Sequence, residues 1–191
     1  MRANGSRTSL AVPRHDGFTL IEMMMVLIIV ALVVGVAVPG MRDTMNRTRA
    51  VSAMMELHAL INLARQTAIT RNSEITVCGV DGNLKCTEPW DGNPTLVFED
   101  TNRNRSFDQS EFIAAETNLT RSGRIRWQAS GGRDYLRFRF DGSAKEFGSF
   151  YYCVKSELGA PNQKLVISAN GRARRISAIQ ADNKPYSLAC H

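Results

Sequence analysis

Gly17-Phe18-Thr19-Leu20-Ile21-Glu22 opens an apolar run that continues, from Met23 to Val38, without a charged or hydrogen-bonding side chain. A short stretch carrying Arg2, Arg7 and Arg14 precedes it. With Phe18, Leu20 and Ile21 the run reaches about 20 residues, enough to cross a bilayer core of roughly 30 Å as a helix. Glu22 is the anomaly. An isolated carboxylate in lipid costs on the order of 3 kcal/mol, so it calls for a cationic partner or a place near a helix N-terminus, where the macrodipole favours it. An ordinary secretory signal is cut after its apolar core. A cut after Gly17 falls before the core and leaves the apolar segment on the mature chain.

That arrangement resembles the class III signal of type IV prepilins and pseudopilins. The resemblance implies a leader over residues 1–17, cleavage after Gly17 by a prepilin peptidase, and methylation of the new N-terminus at Phe18. It also implies that Glu22 pairs with the amino group of Phe18 in a neighbouring subunit during assembly. The alternative is an ordinary single-pass anchor with an interfacial glutamate.

A chain of 191 residues leaves room for one globular domain beside such a helix. The formal net charge is +6, but its distribution says more. Residues 72–120 carry 3 basic and 9 acidic side chains, whereas residues 121–191 carry 13 basic and 5 acidic. A strongly basic half suits a polyanion, and a solvated surface without a partner is the plainer reading. Cys78, Cys86, Cys153 and Cys190 all follow the apolar run, on the side that the leader delivers to an oxidising compartment. Three pairings exist in principle. Cys78–Cys86 and Cys153–Cys190 are expected, since each closes a loop within one half of the head. Zinc is disfavoured: there is no C-x-x-C.

Helix is expected from Phe18 to about Arg71, apolar over 18–38 and amphipathic over 39–71, with Met41, Met45, Met54, Leu57, Leu60, Ile61 and Ala64 near helical spacing. Pro39, with Gly35 and Gly40, marks a bend or meltable segment. Residues 72–191 read as a β-rich head. Its expected strands are Ile75–Cys78, Thr95–Phe98, Phe112–Ala115, Ile125–Gln128, Tyr135–Phe140, Phe150–Val154, Leu165–Ser168 and Arg174–Ile179. Turn signals stand at Asp81-Gly82, Asp91-Gly92, Asp141-Gly142 and Asn170-Gly171. Alternation in Tyr135–Phe140 predicts Arg137 and Arg139 on a solvent face. One long helix followed by antiparallel strands makes the fold α+β.

Two constellations in the head invite a chemical reading. In the loop from Asp100 to Glu111, oxygen-bearing side chains including Asp100, Asn102, Asn104, Asp108 and Glu111 fall at the spacing of an EF-hand Ca²⁺ loop. Arg105 stands where that loop needs glycine, and the flanks read as strands. A polar loop whose Asp and Asn cap their own backbone is therefore preferred, with a weak Ca²⁺ site as the other reading. The second constellation is Asn170-Gly171-Arg172-Ala173-Arg174-Arg175. Asn-Gly is a strong hairpin signal. The two-residue period of a strand then puts Arg172 and Arg174 on one face, where paired guanidiniums suit neighbouring phosphates. A hairpin tip with incidental arginines is the plain alternative.

Gly171-Arg172-Ala173-Arg174 resembles the G-R-x-R motif of FimT-type minor pilins, and over essentially the whole chain the pattern is similar to the FimT/FimU and GspH group. The resemblance implies a pilin-like fold and sequence-independent binding of the backbone of double-stranded DNA through Gly171, Arg172 and Arg174, in uptake during natural transformation. Arg175 and Lys184 are expected to add to the field. It implies other pilins or pseudopilins, the peptidase and the inner membrane as partners, and a single-pass chain with a periplasmic head that moves into a pilus or pseudopilus at the cell surface. A structural subunit that primes pilus assembly, or one in a type II secretion pseudopilus, is the alternative. No cofactor is implied, and the chain lacks a nucleophile elbow, a phosphate-binding glycine loop and a metal-binding histidine pair. Enzymatic chemistry is excluded on that ground.

Overall fold

The computed structural model describes residues 17–88, 90, 93–119, 124–153 and 163–177, and it divides the chain into two compact units, Met1–Met41 and Arg42–His191. Helix α1, Leu20–Arg71, starts in the first unit and ends in the second. It begins two residues later than expected because Thr19 is its cap. Glu22 Oε2 accepts hydrogen bonds from Thr19 N and Thr19 Oγ1, both at 3.1 Å, while Glu22 N donates back to Thr19 Oγ1 at 3.3 Å. This is a capping box, two orphan donors satisfied reciprocally. The pattern T-x-x-E was legible in the sequence and was missed there. The helix is assigned without a break through Pro39.

In the first unit the apolar side chains face outward: Leu27, Ile28, Ile29 and Leu32 are all about 60% exposed or more. Among the described residues no helix is long and apolar enough to cross a membrane. The span expected over residues 18–38 includes Ala37, whose side chain lies outside that description.

In the second unit α1 buries a stripe of Ala50, Met54, Leu57, Ile61, Ala64 and Ala68, each fully inaccessible. Their spacing alternates four and three residues, which keeps one helix face toward the core. Met41 and Met45 fall outside it, exposed by 66% and 45%, so the expected amphipathic face starts later than its sequence pattern suggested.

Among the described residues nine strands follow: β1 (Ile75–Val80), β2 (Cys86–Thr87), β3 (Thr95–Phe98), β4 (Ile113–Thr117), β5 (Arg124–Ala129), β6 (Tyr135–Phe138), β7 (Gly148–Cys153), β8 (Gln163–Ile167) and β9 (Ala173–Ser177). The expected strands all appear, Thr95–Phe98 with its expected bounds and the others with shifted ends, although the expected ends Val154 and Ile179 lie outside the described residues; the short β2 is an addition. The first sheet runs β2-β1-β3-β4, with β6 also paired to β1, and the second runs β5-β7-β8-β9; every pair is antiparallel. All six residues of β1 are buried, as its continuous apolar run requires. Phe150 of β7 joins the layers. Its ring meets Trp90 edge-on at 4.9 Å and stacks on Trp127 at 4.2 Å. Both indoles satisfy their N–H on backbone carbonyls, Trp90 on Asp134 O at 3.0 Å and Trp127 on Tyr135 O at 3.3 Å, as buried indoles must.

Cys78 and Cys86 form the expected disulfide, tying β1 to β2. Cys190 and the side chain of Cys153 lie outside the described residues, as does the Asp91-Gly92 turn. Replacing Cys78 and Cys86 by serine should lower the unfolding free energy by about 2–3 kcal/mol, the loop-closure term for a short loop. Denaturant unfolding monitored by tryptophan fluorescence checks this. A change below about 0.5 kcal/mol would show that the strand ladder alone fixes β2.

Candidate functional site

The hairpin between β8 and β9 is built by Asn170 and Gly171. Gly171 N donates to Ser168 O at 2.8 Å, Ser168 N to Arg172 O at 3.1 Å, and Arg172 N to Asn170 Oδ1 at 3.2 Å. The register Val166↔Arg174 and Ile167↔Ala173 sorts the side chains. Leu165 and Ile167 are buried, so Ala173 and Arg175, opposite them, share the inward side of the ladder. Arg172 and Arg174 fall on the outward side, and both are exposed. The structure thus brings Arg172 and Arg174 together and sends Arg175 to the other face, where it is exposed at the edge strand. Lys184 lies outside the described residues.

A second turn supports this hairpin. Between β6 and β7, Arg139 N donates to Ser143 O and Gly142 N to Arg139 O, both at 2.8 Å. Asp141 Oδ1 accepts from Ser143 N at 2.8 Å, and the Ser143 hydrogen bonds hold the Asp141 carboxyl below its ordinary pKa. The two turns are joined by Ala144 N donating to Ala169 O at 3.0 Å. From the helix, half-buried Arg65 donates its Nε–H to Gly142 O at 2.9 Å. That same carbonyl oxygen would lie 1.9 Å from a Cβ on Gly171, and Gly171 itself has φ +75°. Glycine is required there twice over, by conformation and by contact. His58 Nε2–H donates to Ala173 O at 3.3 Å, so it too holds β9 against the helix.

The other arginines of the basic half separate by burial and partner. Arg126 of β5 pairs in register with Tyr151, and Tyr151 with Lys164, whose ammonium lies 5.2 Å from the Tyr151 ring centroid. Arg133 and Arg139 are exposed. Arg137 corrects the expected solvent face. It is half-buried, bonded to Glu146 through Nη2 at 2.5 Å and to Glu74 through Nη1 at 3.3 Å, with its guanidinium 4.9 Å from the Tyr135 ring centroid. Lys145 also pairs with Glu74. Burial works against the Arg137 charge, but the Glu146 hydrogen bonds and charge outweigh it and hold the guanidinium above its ordinary pKa. In the sequence Glu74 and Glu146 carry no signal beyond their share of the charge balance.

The loop from Asp100 to Glu111 spends its oxygens on itself. Asp100 accepts from Asn104 N and Arg105 N, both at 3.1 Å; Glu111 accepts from Thr101 N at 2.8 Å and Asp108 N at 3.1 Å; Asn104 Oδ1 accepts from Ser106 N at 2.8 Å. The Asp108 carboxylate takes the side-chain amides of Asn102 and Asn104. Burial pushes the Asp100 carboxyl up, partly offset by its backbone donors. Among the described residues no group of His, Cys, Asp and Glu is arranged to hold a metal ion. These are the hydrogen bonds of a polar loop whose Asp and Asn cap their own backbone.

Residues 53–176 match the family Type II transport protein GspH, and residues 13–38 match the prokaryotic N-terminal methylation motif. The chain is 30% identical to the pilin-like protein PilA1 of Thermus thermophilus over 167 residues, 83% of this chain and 96% of that one. It is similar in fold to the type IV minor pilin FimU of Pseudomonas aeruginosa, with a TM-score of 0.51 at 20% identity over 73% of this chain and 97% of that one. The minor pseudopilin EpsH of the Vibrio cholerae type 2 secretion system aligns at a TM-score of 0.47 and 12% identity, over 66% of this chain and 94% of that one.

Gly171→Ala should destabilise the protein by about 3 kcal/mol, because left-handed strain adds to a clash with rigid backbone. Gly142→Ala carries similar strain at φ +78°, but its Cβ would meet the movable end of Ile69 at 2.7 Å, and its loss should be smaller. Thermal unfolding of both variants tests the ranking; equal losses would mean that conformation alone demands glycine at 171.

Proposed function

We propose a function from the premise that this chain belongs to the GspH family and is a minor type IV pilin or pseudopilin, a structural subunit and not an enzyme. Its task is to assemble with other pilins or pseudopilins from a membrane-anchored state. The finer reading follows the methylation motif. A prepilin peptidase cuts after Gly17, Phe18 is methylated, and the apolar segment up to Val38 crosses the inner membrane once with the head in the periplasm. In assembly, Glu22 exchanges its Thr19 contacts for the Phe18 amino group of a neighbour.

The head binds double-stranded DNA without sequence preference, for uptake in natural transformation. The observation that carries this is the pair Arg172 and Arg174, exposed on one face of a hairpin that Gly171 locks to the helix, with no ion pair to either among the described residues. Strand spacing puts them about 7 Å apart along the chain, which suits successive phosphates of one strand. Gly171 acts as the mount and not as a contact. Arg175, on the other face, adds only to the long-range field, as Lys184 would. Among the described residues of the head no helix is presented for reading a major groove.

The second reading is a structural subunit without DNA contact, either priming pilus assembly or serving a type II secretion pseudopilus; the family's description as a type II transport protein favours it. Deleting the gene and measuring transformation beside protein secretion separates the two. For the DNA reading, the double variant Arg172→Gln/Arg174→Gln should bind duplex DNA at least about tenfold more weakly. Its log–log salt slope should be shallower by about 2, near 0.9 for each lost phosphate contact. Unchanged affinity and slope would remove the site.

A further inference from the structure

The register across the second sheet extends past its strands. Ala129, Gly148, Ile167 and Ala173 lie in one row from β5 to β9. The next row is Ser130, Phe147, Ser168 and Arg172, closed by Ser130 N donating to Phe147 O at 2.7 Å and Ser168 N donating to Arg172 O at 3.1 Å. Two strand spacings, about 10 Å, therefore separate Phe147 from Arg172. Phe147 is 46% exposed. The turn seated against Gly171 carries Phe140, 60% exposed, beside exposed Arg139. The loop leaving Ser130 carries exposed Arg133. Asp141, the acid of the Phe140 turn, has its Oδ1 turned back onto Ser143.

Single exposed apolar side chains are ordinary. An exposed phenylalanine in the row of Arg172, with a second on the turn that seats the hairpin, is a different case. Duplex DNA offers the hairpin only phosphates, since its bases are stacked and out of reach. Unpaired bases offer π-faces as well, and the pairing of a basic track with exposed aromatic rings is the chemistry that single strands select. Both turns are held by backbone hydrogen bonds, so the rings are presented at little ordering cost.

From this juxtaposition we infer that the loop end of the second sheet binds single-stranded DNA, with Phe140 and Phe147 stacking on unpaired bases while Arg172 and Arg174 hold the adjoining phosphates. The inference rests on the DNA-binding reading given above and narrows its substrate to strands with unpaired segments or frayed ends. A base can take the place of solvent over each ring without any rearrangement of the Gly142–Gly171 contact.

The test uses the full chain in detergent, titrated with a fluorescein-labelled 20-nucleotide oligothymidine and with a mixed-sequence duplex of the same length. Phe140→Ala/Phe147→Ala should weaken single-strand binding about tenfold or more and change duplex binding less than twofold. Phe140→Tyr/Phe147→Tyr, which keeps both π-faces, should bind like the parent, and Phe140→Leu/Phe147→Leu, which keeps only apolar bulk, should behave like the alanine pair. Circular dichroism confirms that each variant is folded. Equal losses on both probes, no loss on either, or full activity of the leucine pair would overturn the inference. So would normal DNA binding with failed incorporation into filaments, which would assign this face to a neighbouring subunit. If Arg172→Gln/Arg174→Gln leaves both probes unaffected, the hairpin reading itself fails; if that variant loses both while the phenylalanine variants lose neither, only the stacking fails.

Discussion

The carbonyl oxygen of Gly142 lies between the guanidinium of Arg65 and the α-carbon of Gly171, and only a hydrogen atom on Gly171 fits there. Three segments distant in sequence meet at that point: the helix, the turn after β6 and the hairpin after β8. The buried stripe Ala50–Ala68 brings the sheets to the helix, but burial alone is non-directional. A hydrogen bond and a contact without slack fix the angle at which the hairpin leaves the body. The direction in which Arg172 and Arg174 face depends on it.

The same region shows how the fold sorts its arginines. Arg137 lies two residues from Arg139, yet it is drawn into a cluster with Glu146, Glu74 and the Tyr135 ring, while Arg139 stays exposed. Burying a guanidinium is tolerable only with carboxylates beside it. Glu146 meets that need from a position that also bonds the Arg137 backbone N–H, at 2.9 Å. A basic half of the chain is therefore not a uniformly basic surface. Part of its charge is structural, and what remains at the hairpin end is a smaller and more defined group.

Glu22 shows a comparable division of roles. Its bond to Thr19 satisfies the start of the helix within one chain, which gives a reason for a carboxylate at that position before any neighbour is present. Such a local partner lowers the cost of carrying the charge next to an apolar helix.

The sequence by itself determined the elements and much of their order. The apolar run, the four-and-three spacing of Met54, Leu57, Ile61 and Ala64, the alternating strands and the Asn170-Gly171 turn are all local patterns, and each is set by contacts within a few residues. Cys78–Cys86 was legible for the same reason, a short loop with one plausible closure. The pairing of Arg172 with Arg174 followed from strand periodicity alone. What only the tertiary structure decided was everything that needs two distant segments at once: which face of β9 turns inward, Arg137 half-buried among Glu146 and Glu74, and Phe147 in the row of Arg172. Sheet register and side-chain burial depend on which strands become neighbours, and that choice is made by packing the whole head against one helix face, which no local window of sequence contains.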